Sequence, residues 1–362
     1  MRNLMLRLVR HVLRLPGRHE RGAIGVLVGI LIGAGVLVGM GAMVVDVGQL
    51  YQNRAELQSG ADAGALAVAQ SCAEGSCNPG VAKYFADANA KSGVAGVDLV
   101  CGSAGLGACP ASTGKIYDCP VAPAATATYV DVHTETETAT GSSLLPPAFA
   151  RTLLGNGNYQ GSTVYACAQA EWGAPSAATA AGIAVSDCGW DSATNDGTSF
   201  ASPPPYPANP LPKASQDQVL NLSVDSMADG CSTFNWTTQT GSCSSSFTGS
   251  FDAYSGSGIP SGCESVLSSS QANRTVILVP VYNSGSMCGR GEDGSYTLVG
   301  FAAFVVTGYH LPGFTASDWL NSANNCTGSQ ECVNGYFTQA VIPATGTIGG
   351  QDMGASIVQL TG

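Results

Sequence analysis

Thirteen cysteines are the residues of this chain best suited to chemistry, and all of them follow residue 71. They are Cys72, Cys77, Cys101, Cys109, Cys119, Cys167, Cys188, Cys231, Cys243, Cys263, Cys288, Cys326 and Cys332. No pair has Cys-x-x-Cys spacing and the chain has only four histidines, so the pattern does not favour a zinc site. It favours disulfides formed in an oxidising compartment.

Close spacing suggests three local disulfides, each clipping a short loop. The pairs are Cys72 with Cys77, Cys101 with Cys109, and Cys326 with Cys332. Spacing alone does not determine the connectivity of the remaining cysteines. Because thirteen is an odd number, at least one thiol is free or pairs with another chain.

A second group with chemical potential lies on the alternating stretch "YVDVHTETETAT". The alternation predicts a strand with a buried face at Val130 and Val132 and a wet face at Asp131, His133 and Glu135. Three such side chains on one face could hold a metal. A solvated strand face predicts the same residues, and this interpretation is favoured, so no metal or cofactor is assigned.

The stretch "GTSFASP" (Gly197–Pro203) resembles the segment around the nucleophilic serine of subtilisin-like proteases, which would make Ser199 the nucleophile. That chemistry also needs a histidine base and an orienting aspartate. Only His133 and His310 lie outside the first 22 residues, and neither has the His-Gly context of that family. We therefore predict a loop and no catalytic residue. No Walker-type Gly-Lys-Ser/Thr occurs, which excludes the usual nucleotide-binding motif.

Charge divides the chain into a basic head and an acidic remainder. The first 22 residues carry a net charge of +5 and the rest carries −16. The arginines of the head are Arg2, Arg7, Arg10, Arg14, Arg18 and Arg21. A basic head before an apolar run predicts a membrane protein with a cytoplasmic N-terminus. The acidic remainder argues against a nucleic-acid partner.

The apolar run from Ala23 to Val45 has 23 uncharged residues, enough for one transmembrane helix. A cleaved secretory signal is the alternative, but its apolar region spans only about 7–15 residues. Gly25, Gly29 and Gly33 repeat at every fourth position. Gly35 and Gly39 add a second such pair. This spacing suits close helix packing in lipid, although a glycine-rich span without a partner fits equally well.

Beyond Asp46 the pattern predicts continued helix, and residues 59–69 are mostly Ala, Gly and Ser, which leaves one flank narrow. A helix from Ala23 to Ser71 would be about 70 Å long. The whole segment resembles the N-terminal part of the TadE/TadG-like proteins of the Flp, or tight-adherence, pilus system. The positions that carry the resemblance are Arg21, Gly22, Asp46, Gly48, Tyr51, Leu57, Gln58, Ala61, Asp62, Ala63, Ala65, Leu66 and Ala67.

The resemblance covers about 50 of the 362 residues and implies an envelope protein of a pilus or secretion apparatus without catalysis. Prepilins cleaved after such a glycine carry Glu five residues later, where this chain has Leu27. We therefore favour an uncleaved TadG-like anchor over a peptide cleaved between Gly22 and Ala23. The Asp-x-Ser-x-Ser metal motif of von Willebrand A domains, which many TadG-like proteins carry, does not occur here.

The predicted organisation has five parts. They are the basic cytoplasmic head 1–22, the transmembrane helix 23–45, the helical extension 46–72, a pilin-like α/β region 73–173, and a β-rich region 174–362. Within them we predict helices at Val81–Lys91 and Leu145–Gly155, a strand at Ser162–Trp172, a hinge at Gly173–Ile183, and an antiparallel strand pair at Thr275–Tyr282 and Tyr296–Tyr309.

The predicted fold class is therefore α+β, with a transmembrane helix that continues into a long pilin-like helix and then a disulfide-braced ectodomain. The predicted function is structural, in a Flp-type pilus or related envelope apparatus. The expected partners are the membrane and other pilus-assembly or pilin-like subunits, which would pack against the transmembrane helix and its alanine-rich extension, with neither nucleotide nor nucleic acid. The alternatives are a tethered surface-binding module, signalled by exposed aromatics near Trp236, Tyr254 or Trp319, and an exported hydrolase.

Overall fold

The computed structural model describes residues 21–361 with internal gaps. The gaps are residues 34–35, 111–118, 122, 124–126, 148, 150–159, 207, 223–232, 239–241, 255–257, 287–294 and 325–329. Most of the predicted helix Leu145–Gly155 lies outside the described residues. The rest of the chain forms two N-terminal helices and an α+β region, residues 81–361, which we call the α+β body.

The two N-terminal helices are α1 (Arg21–Gly33) and α2 (Val36–Ala73). Helix α2 has 38 residues, about 57 Å at 1.5 Å per residue. It passes through Asp46 without interruption, since no proline lies between Pro16 and Pro79, and the predicted helical continuation is confirmed. Among the helices that the structure describes, none combines the length and apolarity needed to cross a membrane. The predicted span Ala23–Val45 is thus not confirmed.

A five-stranded sheet packs against the C-terminal half of α2. Its strands, in spatial order, are β1 (Ala95–Gly102), β2 (Thr128–Thr136), β3 (Tyr165–Gly173), β17 (Ala355–Leu360) and β14 (Ala340–Val341). Helix α3 (Val81–Asn89) precedes them in the chain. The predicted short helix and the two predicted strands in this region are confirmed. The last strand of the chain pairs antiparallel with β3, so the C-terminus completes a sheet that begins near residue 95.

The predicted hinge at Gly173–Ile183 is wrong. Its residues form strand β4 (Pro175–Ala181), which pairs antiparallel with β8 (Ser244–Thr248) and β15 (Gly346–Ile348). Small Ala, Ser and Thr side chains suggested a flexible connection, but they also let neighbouring strands approach closely. Gly346 shows this closeness, because a Cβ there would lie 2.2 Å from the carbonyl oxygen of Ala177.

The remaining strands centre on a closed ring. Its six strands are β5 (Ile183–Ser186), β6 (Gln218–Leu222), β7 (Thr233–Trp236), β10 (Val276–Tyr282), β11 (Ser295–Leu311) and β13 (Cys332–Thr338). Pairing runs β10–β5–β7–β6–β13–β11 and then returns from β11 to β10, which closes a barrel. The predicted antiparallel pair is the β10–β11 part of this ring and is confirmed.

One hydrophobic cluster fills the barrel, and each of the six strands contributes to it. Phe234, Val279 and Phe304 are among its buried side chains, and helix α5 (Cys263–Asn273) adds Leu267. A six-stranded barrel is too narrow to enclose a channel and is filled by side chains. The other elements are α4 (Asp187–Thr194), β9 (Ser250–Asp252), β12 (Phe314–Ala316), β16 (Gln351–Met353) and short 3-10 helices at Ala214–Gln216, Ser284–Ser286 and Ser322–Asn324.

Every cysteine in the described part of the chain is disulfide-bonded. The bonds with both partners described are Cys72–Cys77, Cys101–Cys109, Cys119–Cys167 and Cys243–Cys263. Cys188 and Cys332 are also bonded, and Cys326 lies outside the described residues. The α+β class with a long N-terminal helix and a disulfide-braced, β-rich C-terminal region is therefore confirmed.

Candidate functional site on the N-terminal helices

The N-terminal helices expose a run of large apolar side chains that we call the apolar sleeve. Its members are Ile24, Val26, Leu27, Val28, Ile30, Ile32, Met40, Met43, Val44, Val45 and Val47. Ile24 is 70% exposed and Val44 is 71% exposed. At 3.6 residues per turn, the six members on α1 cover about two thirds of its circumference, and Gly25, Gly29 and Gly33 occupy the rest. An exposed apolar surface of this extent marks a site of contact with protein or lipid.

The predicted glycine ridge lies within this sleeve. A Cβ at Gly25, Gly29 or Gly33 would meet no atom within 4 Å, so the ridge faces open space. Gly39 lies in α2, and Gly35 lies outside the described residues. Of the predicted topology arginines, Arg21 begins α1, and the other five lie outside the described residues. The described part of the chain thus leaves the Gly25–Gly33 ridge open to a partner.

Residues 57–72 of α2, which we call the docked half, lie against the sheet. Leu57, Ala61, Ala65 and Val68 are buried there among side chains of β2 and β3. The small alanines let the helix axis come close to the strands, because Cβ atoms are all that separates the two backbones. Leu66 of the TadE/TadG-like pattern packs at the edge of the same cluster, and Ala63 is half-buried.

Two side-chain hydrogen bonds fasten the docked half to the strands. Gln58 Nε2 donates to the carbonyl oxygen of Cys167 on β3 at 2.9 Å and to Asp62 Oδ1 at 2.8 Å. Thr134 Oγ1 on β2 donates to the carbonyl oxygen of Leu57 at 3.1 Å. The polar pattern residues Gln58 and Asp62 therefore act together in holding the helix to the sheet.

Helix α3 covers the remaining narrow flank of the docked half. A Cβ at Gly60 would lie 3.1 Å from Ala86 Cα, and one at Gly64 would lie 3.4 Å from Ala82 Cα. The two backbones are therefore in close contact at these glycines. The sequence predicted that the alanine-rich helix packs against neighbouring subunits, but this flank is occupied by the chain's own α3 and sheet.

The N-terminal part of the pattern behaves differently from the docked half. Tyr51 is 72% exposed, and a Cβ at Gly48 would meet nothing within 4 Å. Asp46 accepts a hydrogen bond from the backbone N–H of Phe149, with distances of 3.0 and 3.2 Å to its two carboxylate oxygens. The pattern thus divides near Leu57 into an exposed stretch and a stretch buried by the α+β body.

The predicted wet face of β2 is wrong for Asp131 and His133, which are 6% and 5% exposed. Cys109 and Cys119, which follow β1, lie against this face and are bonded to Cys101 of β1 and Cys167 of β3. Burial raises the pKa of Asp131, partly opposed by the hydrogen bond it accepts from Gln169 Nε2 at 2.9 Å. Strand alternation alone could not show that the connection before β2 would cover the face that carries Asp131 and His133.

Two groups of metal-ligand types occur on this covered face. They are Cys119, His133 and Cys167, and Cys101, Cys109 and Asp131. In each group the two sulfur atoms are bonded to each other. Metal ions bind cysteine as the thiolate, and a disulfide offers none. The groups therefore brace the fold in its oxidised state.

The residues considered for catalysis and ligand binding form hydrogen bonds or packing contacts within the fold. The backbone N–H of Ser199 donates to the carbonyl oxygen of Thr194 and closes the end of α4. Trp236 is buried against Phe234, and Trp319 is half-buried beneath the guanidinium of Arg274 at 4.5 Å. Tyr254 packs at the edge of the barrel core. The exposed aromatic cluster that would have favoured a surface-binding module is not formed by these residues.

Fold and site together define a protein whose N-terminal helices carry a disulfide-braced α+β body at one end and an exposed apolar sleeve at the other. Residues 22–71, which hold both the sleeve and most of the docked half, match the family model Tad, described as putative Flp pilus-assembly TadE/G-like. The resemblance inferred from the sequence is thus confirmed for this segment. No curated protein and no solved structure matches the chain.

Proposed function

We propose that the chain is a membrane-anchored structural component that helps to assemble a Flp-type pilus or a related envelope apparatus. The observation that carries this proposal is the division of the TadE/G-like segment. Its second part is buried by the chain's own α+β body, and its first part exposes the apolar sleeve. The body is thereby held rigidly on one helix, and the sleeve remains for an external contact.

Lipid is the environment that best suits the sleeve. Its α1 side chains cover about two thirds of the helix circumference, whereas a single partner helix would cover only one face. The run Ala23–Val45 has the length of a membrane span, and the arginine-rich head before it favours a cytoplasmic N-terminus. The disulfides of the α+β body suit an oxidising compartment on the other side.

The pilus-assembly role would use helix contacts within the membrane. The open ridge of Gly25, Gly29 and Gly33 allows a second helix to approach closely, which is how helices associate in lipid. The α+β body would then be presented at a fixed distance from the membrane, because α2 runs unbroken from the sleeve into the docked half. No chemical step by this chain is part of the proposal.

The experiment is mechanical shearing of cells that make the protein, followed by fractionation and intact-mass measurement of the protein in each fraction. We expect full-length protein in the membrane fraction. Protein in the sheared fibres, shortened by its first 22 residues, would instead make it a processed pilin-like subunit. A secreted fragment that begins beyond Val45 would overturn membrane anchoring. Loss of fibres in a deletion strain, restored by the intact gene, tests the assembly role separately.

A further inference from the structure

The connection between β2 and β3 reaches far along α2, away from the sheet. Its base is closed by the paired backbones of Leu145 and Ser162, which exchange hydrogen bonds of 3.0 and 3.2 Å. Beyond this base, the backbone N–H of Phe149 donates to the carboxylate of Asp46. The connection therefore touches the helix at the residue that ends the uncharged run.

The position of this contact along the helix can be measured from the edge of the sheet. Thr134 of β2 bonds to the carbonyl oxygen of Leu57, and Asp46 lies eleven residues earlier in the same helix. Eleven residues correspond to about 16 Å of helix axis. The connection thus extends well past the sheet, to the level at which the apolar sleeve begins.

The described residues at this end of the connection are apolar and exposed. Phe149 is 49% exposed, and Pro146, the first residue beyond the base, is exposed as well. Met43 and Val47 of the sleeve flank Asp46 on α2 and are exposed too. The apolar surface therefore continues from the helix onto the α+β body, with Asp46 at the junction.

We propose that Pro146 and Phe149, which we call the loop tip, form a second contact of this protein with the membrane surface. The proposal rests on the membrane anchoring proposed above. Apolar side chains beside the end of a span lie at the boundary between headgroups and acyl chains, where they are removed from water. The Asp46 carboxylate can lie at this boundary because a backbone N–H satisfies it.

Such a contact would fix the orientation of the α+β body. One helix leaves the body able to tilt and rotate about the helix axis, whereas a second contact beside that axis restrains both motions. A lipid surface is the occupant that fits, because the loop tip is continuous with a sleeve that covers about two thirds of the circumference of α1. A neighbouring protein subunit could cover the tip at any height along α2, so it would not explain why the tip lies level with the end of the sleeve.

The experiment places tryptophan at three positions of the full-length protein in phosphatidylcholine vesicles that contain acyl-brominated lipid, which quenches tryptophan fluorescence on contact. The variants are Leu27→Trp in the sleeve, Phe149→Trp in the loop tip, and Tyr84→Trp on α3. Tyr84 is 71% exposed and lies on the docked half's side of the sheet, so it is the control. The signal of the wild-type tryptophans is subtracted. We expect a loss of fluorescence for Leu27→Trp and Phe149→Trp and none for Tyr84→Trp.

The outcomes separate the two proposals. If Leu27→Trp is quenched and Phe149→Trp is not, the loop-tip contact is overturned and the anchor stands. If neither is quenched, the anchor itself is overturned, and the loop-tip contact with it. A blue-shifted Phe149→Trp emission without quenching would assign the tip to a protein neighbour. We expect Phe149→Trp to fold normally, because the Phe149 side chain is exposed and only its backbone N–H bonds to Asp46.

Discussion

At the scale of single residues, Asp131 is a buried acid of β2, covered where two disulfides tie Cys109 to β1 and Cys119 to β3. Burial raises its pKa above the ordinary value of 3.8. The folded state therefore keeps the proton to higher pH than the unfolded state does. For an acid with this shift, the folded state loses relative stability as pH rises from about 3.8 through the raised pKa.

We therefore expect Asp131→Asn to raise the melting temperature at neutral pH and to have no such effect below about pH 3.8. The asparagine keeps a carbonyl oxygen for Gln169 Nε2. Thermal unfolding of both proteins across this pH range measures the difference. Glu74→Gln, an exposed change of the same charge, is the control. An equal gain at both ends of the pH range would contradict the burial argument.

Gly60 gives a second prediction for a single residue. Because a Cβ at Gly60 would lie 3.1 Å from the Ala86 backbone, Gly60→Val should push α3 away from α2. We expect a loss of about 1–3 kcal/mol in the free energy of unfolding, the usual range for overpacking. Gly48→Val is the matched control on the same helix, since its Cβ has no neighbour within 4 Å. Denaturant unfolding measures the stability of both variants. Equal stabilities would show that α3 moves aside without a loss of free energy of unfolding.

The sequence identified the small residues between 59 and 69 but not what covers them. A run of Ala and Gly signals close approach in general, and it does not distinguish an internal helix from another subunit. The same limit applies to Asp131 and His133, since the covering loop is tied to the sheet through Cys109 and Cys119. Spacing predicted the partner of Cys109, which is Cys101, but not the partner of Cys119, which is Cys167.

At the scale of secondary-structure elements, the disulfide Cys119–Cys167 joins the covering loop to β3 across 48 residues of chain. Replacing both cysteines by serine should lower the free energy of unfolding by about 4 kcal/mol, because a long loop gains much freedom in the unfolded state. The pair Cys72–Cys77, with a separation of 5, should lose only about 2 kcal/mol. Denaturant unfolding of both double variants tests the order, and a larger loss for the shorter loop would refute it.

The glycine ridge of α1 gives a prediction for helix association. Replacing Gly29 and Gly33 by leucine adds bulk where a Cβ now meets open space, so the α+β body should fold normally. Recovery of the protein in complex with other envelope components should fall. Affinity purification from solubilised membranes, quantified by mass spectrometry, measures this. Ile30→Leu with Ile32→Leu is the control, and unchanged recovery in both variants would remove the ridge from the assembly proposal.

Elements with a strong local pattern were predicted correctly, and elements defined by distant pairing were not. Strands β2 and β3 alternate clearly, and β10 and β11 are long β-branched and aromatic runs separated by a turn-rich segment. Strand β4 has only small residues and exists because β8 and β15 flank it. Closure of the barrel depends on parallel pairs such as β5 with β10, which have no local signature.

At the scale of the whole molecule, β17 joins the two ends of the α+β body. Ile357 is fully buried on this strand, whereas Leu360 is 39% exposed. We expect Ile357→Ala to lower the free energy of unfolding by about 2–5 kcal/mol, and Leu360→Ala by clearly less. Limited proteolysis should show new cleavage in the first sheet for Ile357→Ala only. Equal effects of the two changes would mean that β17 is not an integral strand.

The overall class could be predicted because composition, the long helix and the cysteines all indicate it. The return of β17 to β3 could not, since its partner lies about 180 residues earlier and six residues of alternating pattern fit any sheet edge. The TadE/G-like match also ends at residue 71, before the body begins. The residues of the site could therefore be predicted in part from the sequence. Which of them the fold exposes and which it buries could not.

The pairing of β17 with β3 also has a consequence for how the protein is made. A chain that is synthesised from its N-terminus presents β3 long before residue 355 is made, so β3 at first has one edge unpaired. The sheet on α2 gains this pairing only when residues 355–360 have been made. A chain cut before Gly354 keeps that edge of β3 open to proteases and chaperones.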